Sequence, residues 1–392
     1  MAPVDELIES LKVIEATALA NEIQRPRIKD ALFQTLRAVQ SPWDIVWEHN
    51  WVQGITHACV KTFIDLNLFK TWAECGNNAM TCARLASLTG AEEHLIRRMM
   101  RHVAAQHLLV ETAQDTFAPT PWSKTLGMDP QLASIYGPFY SQDHNPMYLN
   151  LPNFLKERGY QNPTDPNDGN WQHWKGATND FFKDLSINHE LARGFHDTME
   201  CLSRYGALPW PDIYPTETII AAAKPGRVLI VDIGGSKGHD LEKFRMRHPD
   251  TPTGSLVLQD LPDVVQAAKV DKAIVVQAHD FFMPEPVKGA RAYFLHHILH
   301  DWPDAIATGI LQNVAGAMES GYSRLLLYEN IITNVKAASR VTTLDLTMMA
   351  CHSSKERSHD EWRELIESAG LRIMKVWRSP LSDKGIIEVE LA

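Results

Sequence analysis

The chain reads as an α/β protein, with an open, doubly wound sheet behind an N-terminal all-helical and winged-helix domain. Three observations predict this. From Pro215 onward, short apolar runs at 227–232, 255–260, 273–278, 291–296 and 323–329 alternate with helical patterns, which implies a parallel sheet with helices on both faces. The first run ends in a glycine turn, Val231-Asp232-Ile233-Gly234-Gly235-Ser236-Lys237-Gly238-His239, and the next residues, Asp240 to Phe244, read as a helix. Residues 4–40 repeat their apolar residues at helical steps.

In residues 4–40 those steps place Leu7, Ile8, Leu11, Ile14 and Ala18 on one helical face. Trp43 to Phe69 continues apolar and helical. Leu85–Ala91 and His94–Val103 read as two short helices joined at Gly90, and Leu108–Glu111 with Thr116–Pro119 as a small hairpin. Together they make a winged-helix pattern. Residues 136–215 are rich in proline, tryptophan and asparagine and read as a connecting stretch of loop and helix. The expected organisation is 1–135 as a dimerisation domain, 136–215 as a linker contributing to an acceptor pocket, and 216–392 as the catalytic α/β domain. The N-terminal helices are too apolar to stand alone, so a homodimer is expected, whose partner chain could add to the site.

The bulk numbers exclude several classes. With 392 residues there is room for two domains. A net charge of −10 opposes broad attraction to nucleic acid or anionic lipid, so Arg97, Arg98 and Arg101 read as a solvated face and not a DNA contact. Five scattered cysteines (Cys59, Cys75, Cys82, Cys201, Cys351) suggest neither a disulfide framework nor zinc, and no metal is expected. The first residues lack the pattern of a signal peptide, and no apolar run is long enough to span a bilayer. A cytosolic enzyme is the expectation.

The glycine turn carries the chemistry. Its spacing, Gly-Gly-x-x-Gly, is neither the dinucleotide pattern nor a P-loop. Asp232 inside it would repel a phosphate and suits a cationic or amine-bearing ligand. Asp260 closes the next strand, where such a fold places a carboxylate on ribose hydroxyls.

These segments, with Asp260-Leu261-Pro262, His279-Asp280-Phe281, Leu299-His300-Asp301-Trp302-Pro303-Asp304, Glu329 and Lys355-Glu356-Arg357-Ser358, resemble the caffeate-type family of class I S-adenosylmethionine-dependent O-methyltransferases. The fungal natural-product branch, which includes methyltransferase-like pericyclases, is closest in style. The resemblance covers nearly the whole chain and implies a Rossmann-like catalytic domain. It implies S-adenosylmethionine as cofactor, with Asp232, Gly234 and Gly235 beside the methionine tail and Asp260 on the ribose. Asp280 and Phe281 would flank the adenine, with Leu261, His296 and Trp302 also at the cofactor. It further implies His300 as general base, Glu329 as the carboxylate fixing its tautomer, and Glu356 as a second carboxylate nearby. A neutral imidazole with a pKa of ~6.5 can take a hydroxyl proton at cytosolic pH. The family usually has Lys or Arg where His296 stands.

The expected reaction is methyl transfer to a hydroxyl of a small aromatic or polyketide-type acceptor. Candidate acceptor contacts are Phe139, Tyr140, His144, Met147, Phe195, Met199, Met348, Met349 and His352, with Trp171 and Trp174 nearby. An alternative keeps fold and cofactor but catalyses dehydration or a pericyclic step without methyl transfer, with His144, His296 and Arg204 as polar groups to serve it. A third possibility, a regulator using the winged helix, is opposed by the charge and by the catalytic set.

Overall fold

The computed structural model describes residues 3–12, 24–176, 178–206 and 208–392. Ile14 and Ala18 of the first amphipathic pattern lie outside the described residues. The chain forms two compact units, one of residues 1–144 with 189–205, the other of 145–188 with 206–392. Residues 136–215 are therefore divided between them.

In the first unit, helices Gln24–Val39, Pro42–Trp47 and Gln53–Asp65 lead to Leu68–Glu74. Ser41 starts the second of these with a reciprocal cap, accepting from the Asp44 amide while Asp44 accepts from its own. The winged-helix expectation is met by strand β1 (Met80–Thr81), helices Cys82–Thr89 and Glu93–Ala105, then strands β2 (Leu109–Ala113) and β3 (Thr116–Pro119), ordered β1-β3-β2. Phe63, Trp72, Ile96, Met100 and Phe117 form its fully buried centre. Arg97 and Arg101 both pair with Asp115, at 3.1 and 2.8 Å, which ties this part of the basic face to the wing.

The second unit is built on a sheet. Strands β4 (Ile230–Ile233), β5 (Leu256–Asp260), β6 (Ile274–Ala278), β7 (Ala292–His296) and β8 (Arg324–Ile332) fall on the five apolar runs and pair in parallel. β9 (Arg357–Ser358) lies parallel to the end of β8. The sheet is mixed and not wholly parallel. β10 (Leu371–Arg378) and β11 (Lys384–Leu391) form an antiparallel hairpin, with β11 paired to β8, giving the order β10-β11-β8-β7-β4-β5-β6.

Alternation sorts the strand residues into two cores. Val231, Leu295, Leu325, Leu327 and Ile387 face helices Asp304–Ala315 and His359–Ser368. Ile230, Leu258, Phe294, Leu326 and Ile386 face helix His239–Arg247. Full burial of each such side chain contributes about 1.5–3 kcal/mol. Each core residue therefore helps fix the strand register, and register decides which face the polar residues at the strand ends take.

Candidate active site

The sheet's carboxyl edge begins with the glycine turn after β4. Gly234 has φ +70°, and a Cβ there would lie 2.6 Å from Ile298 Cδ1. A Cβ on Gly235 would lie 2.5 Å from the Asp232 carboxylate and 2.6 Å from Leu258 Cδ1, so the backbone packs where side chains cannot. Asp260 closes the turn from β5, accepting from the Ser236 amide at 2.8 Å and the Leu261 amide at 2.7 Å. Asp280 accepts from the Phe282 amide at 3.0 Å. Phe281 backs onto the core and meets Phe282 and Trp302 edge-on, while Leu261 is half exposed.

Asp232 is 1% exposed, and neither of its oxygens has a hydrogen-bond partner. Burial, then the charges of Asp240 and Asp260, push its carboxyl well above the ordinary range. Asp240 behaves oppositely. Burial works against its charge, but His296 and Lys243 outweigh it and hold the carboxyl well below the ordinary value. His296 Nδ1 lies 2.6 Å from Asp240 Oδ2, and Lys384 Nζ lies 3.3 Å from His296 Nε2. His296 is thus engaged by protein groups on both ring nitrogens.

His300 stands on a short turn, Leu299–Asp301, entered through His297 in the left-handed region at φ +54°. Its Nδ1 meets Glu356 Oε1 at 2.8 Å, and both residues are buried. Asn330 Nδ2 donates to the same Glu356 oxygen at 3.0 Å. The sequence reading gave the pairing role to Glu329, and this is corrected. Glu329 Oε1 instead accepts the amides of Ile298 and Leu299, at 3.1 and 3.0 Å. The pairing of β9 with β8 brings Glu356 beside the imidazole. Arg357, wholly buried, donates to the carbonyls of Leu299 and Trp302 and to Asp304, each at 2.8 Å, and so holds the turn.

Burial alone would lower the His300 pKa, but the charges of Asp301 and Glu356 outweigh it and raise it to about 10. Burial pushes Glu329 up to about 7 and Asp301 up to about 6. Asp301 Oδ1 lies 3.5 Å from His300 Nε2 and 3.7 Å from His352 Nε2. Phe182 stacks on His352 at 5.2 Å and on Trp302 at 5.8 Å between ring centres. The centre is an imidazole among carboxylates with aromatic faces beside it, suited to hold or move one proton next to a flat ligand.

The acceptor candidates fall in two groups. Met147, Met348, Met349 and His352 belong to the second unit, where Met147 is fully buried and its sulfur lies 3.5 Å from Cys351 Sγ. Phe139, Tyr140, His144, Phe195 and Met199 belong to the first. There Phe139 packs on His144 at 4.1 Å and on Phe195 at 6.2 Å, and Tyr140 lies 4.5 Å from His57. His144 is no solvated loop residue. Its Nδ1–H donates to the Phe139 carbonyl at 3.2 Å, and burial lowers its pKa to about 4. Arg204 bonds Asp129 and Gln131 within the first unit, and Trp171 donates to Asp184 in the second, so both are structural anchors.

The family model for an O-methyltransferase domain matches residues 216–372, and that for an O-methyltransferase dimerisation domain matches 53–129. The O-methyltransferase mfmE of Annulohypoxylon moriforme is 36% identical, over 98% of this chain and 95% of its own length. The chain belongs to the O-methyltransferase family. The O-methyltransferase ATR12 of Stachybotrys chlorohalonatus is also 36% identical, over 98% of each chain. Among solved structures, one titled a pericyclic reaction enzyme matches with TM-score 0.90 and 28% identity, over 99% of this chain and 100% of its own. LepI in complex with S-adenosylmethionine matches at 0.88 and 28%, over 99% and 98%. OxaC with sinefungin and meleagrin matches at 0.80 and 25%, over 99% and 98%.

Among the described residues, no His, Cys, Asp and Glu cluster could hold a metal ion, and no helix is long and apolar enough to cross a membrane. Asn330, Lys384 and the partnership of His296 with Asp240 were missed from this family member's sequence. Local pattern gives no signal for them, since each acts through contacts 26 to 88 residues apart.

Proposed function

We propose that this protein is an S-adenosylmethionine-dependent O-methyltransferase that methylates a hydroxyl of a small aromatic or polyketide-type metabolite, with His300 as general base. The observation that carries it is the buried pair of His300 Nδ1 and Glu356 Oε1 at 2.8 Å, which commits Nδ1 and makes Nε2, with Asp301 Oδ1 3.5 Å away, the proton-handling side. The cofactor fits the glycine turn. An unpartnered buried carboxylate awaits a cation at Asp232, and Gly234 and Gly235 leave room that a Cβ would fill. Asp260, Leu261, Asp280, Phe281 and Trp302 would hold the nucleoside. When bound, S-adenosylmethionine supplies an electrophilic methyl group. The relatives' names and the solved complexes with this cofactor support the same reading.

Glu356 orients the imidazole, Asn330 and Arg357 hold Glu356 and the His300 turn, and Glu329 pins the amides that precede His300. Positioning of this kind supplies up to about 7–11 kcal/mol in model reactions. Methionines 147, 348 and 349, with His352, are the acceptor contacts proposed in the second unit, and Phe139, Tyr140, His144, Phe195 and Met199 those in the first. The matched dimerisation domain supports a homodimer. The exposed cluster of Trp43, Trp47 and Trp51, the last two of them stacked, would be covered by it.

One observation favours a second reading, a dehydratase or pericyclase that keeps the cofactor intact. His300 lies between two carboxylates, Glu356 at 2.8 Å and Asp301 at 3.5 Å, which favour its protonated form and so suit hydrogen-bond donation to a carbonyl. The test is incubation with S-adenosylmethionine and a panel of phenols and pyridones, reading S-adenosylhomocysteine and product mass together. S-adenosylhomocysteine together with a +14 mass shift of the acceptor, both abolished in His300→Ala, is expected. Loss of water or isomerisation with no cofactor consumed would establish the second reading. Full activity of His300→Ala would remove the base.

A further inference from the structure

The three acids around the glycine turn are provided for unequally. Asp260 accepts two backbone amides, one on each oxygen. Asp240 is also committed at both oxygens. Lys384 has donors only, so its contact with His296 Nε2 makes that nitrogen the acceptor. The neutral ring then carries its hydrogen on Nδ1 and donates it to Asp240 Oδ2. Lys243 Nζ lies 3.3 Å from the other Asp240 oxygen. Asp232 alone has no donor at either oxygen, although it is 1% exposed.

The titratable groups around this corner come from every neighbouring element. Asp240 and Lys243 lie on helix His239–Arg247, and Asp260 ends β5. His296 ends β7 and is followed by His297; Tyr328 lies on β8 and Lys384 on β11. Glu329 and Arg340 act on Lys384 from further off. Lys243 pairs with Asp240 and Lys384 contacts the His296 ring, while the two other acids, Asp240 and Asp260, act on Asp232 as anions. A carboxylate buried without donors, facing two ionised acids, takes up a proton.

We propose that Asp232 carries this proton in the ligand-free protein and releases it when the ammonium group of the cofactor's amino-acid tail binds. The O–H bond of the acid breaks, the proton goes to solvent, and a carboxylate–ammonium pair forms, so charge balances. The proposal rests on the reading of the glycine turn as the cofactor site and is independent of whether methyl transfer follows.

The experiment is calorimetric titration of the full-length protein with S-adenosylhomocysteine at pH 7, in phosphate and in Tris. The two buffers differ in ionisation enthalpy, so the difference in apparent heat counts protons. The expected result is release of about one proton per site, with affinity rising up to about tenfold per pH unit while Asp232 is protonated. Methylthioadenosine, which lacks the amino-acid tail, should bind without release. Asp232→Asn should bind S-adenosylhomocysteine with no buffer dependence. Binding of S-adenosylhomocysteine by the wild type with equal heats in both buffers overturns the proposal, as does equal proton release with methylthioadenosine. Absence of any binding sinks the cofactor site and this proposal with it. Because the count is made on the wild type, a variant that fails to fold does not spoil the test.

Discussion

Glu356→Gln should move the pH dependence of catalysis and lower its ceiling, and the two effects can be sized. The carboxylate sits 2.8 Å from His300 Nδ1 with almost no access to water. A hydrogen bond to a charged group is worth about 1.5–3 kcal/mol, which corresponds to about 1–2 pH units on the imidazole. In the wild type, burial is outweighed by Asp301 and Glu356 and the histidine titrates near 10. A base must be neutral before it accepts a proton, so methyl transfer should rise with pH toward that value. The variant should begin its rise about 1–2 units earlier. Its plateau should fall by about a hundredfold or more, because the ring is no longer oriented and the conjugate acid no longer stabilised. At pH 7 the larger neutral fraction offsets part of that loss, so a single-pH comparison misleads. The assay is kcat/KM for S-adenosylhomocysteine release from pH 6 to 10.5, with circular dichroism confirming the fold. An unmoved midpoint with an unchanged plateau would refute the reasoning. So would a wild-type rate that falls as pH rises, since that is the behaviour of a catalyst that needs the imidazolium.

Four other perturbations follow from particular contacts. Arg357→Lys loses part of a fork that reaches Leu299, Trp302 and Asp304, and should destabilise the protein by about 2–4 kcal/mol in urea titration, with kcat falling as the His300 turn loosens. Gly235→Ala drives a methyl group into Asp232 and Leu258 and should weaken S-adenosylhomocysteine binding at least about tenfold. Gly309→Ala, on an open face of helix Asp304–Ala315, should instead add up to about 1 kcal/mol of stability. Trp47→Asp places a charge in the exposed tryptophan stack and should shift sedimentation from dimer to monomer, weakening association by about 2 kcal/mol or more.

Much of this was legible in the residues, and the gaps have physical causes. Strands buried on both faces read as apolar runs, so β4, β5, β7 and β8 were placed within a few residues, and the edge strand β6 was found through its apolar Ile274-Val275-Val276 although it is largely exposed. The hairpin of β10 and β11 was missed, although Ile386-Ile387-Glu388-Val389-Glu390 carries partial alternation and Lys384 enters the site through it. The glycine turn was legible because steric need at Gly234 and Gly235 is written in residue type. The choice between Glu329 and Glu356 was not. Both carry the same chemistry, and only the two-residue pairing of β9 with β8 decides which carboxylate reaches the imidazole. His144 is the converse case. A polar loop residue by pattern, it is half-buried against Phe139, which sequence spacing does not reveal.

Strand β8 has a consequence for how such a protein can change over time. Its neighbours Tyr328 and Glu329 point to opposite sides of the sheet. Tyr328 packs on His296 beside the acids of the glycine turn, and Glu329 pins the amides that lead into His300. With β7 on one side and β11 on the other, a single inserted or deleted residue would exchange those two side chains and damage both centres at once. The strand therefore behaves as a fixed ruler between the glycine turn and the His300 turn.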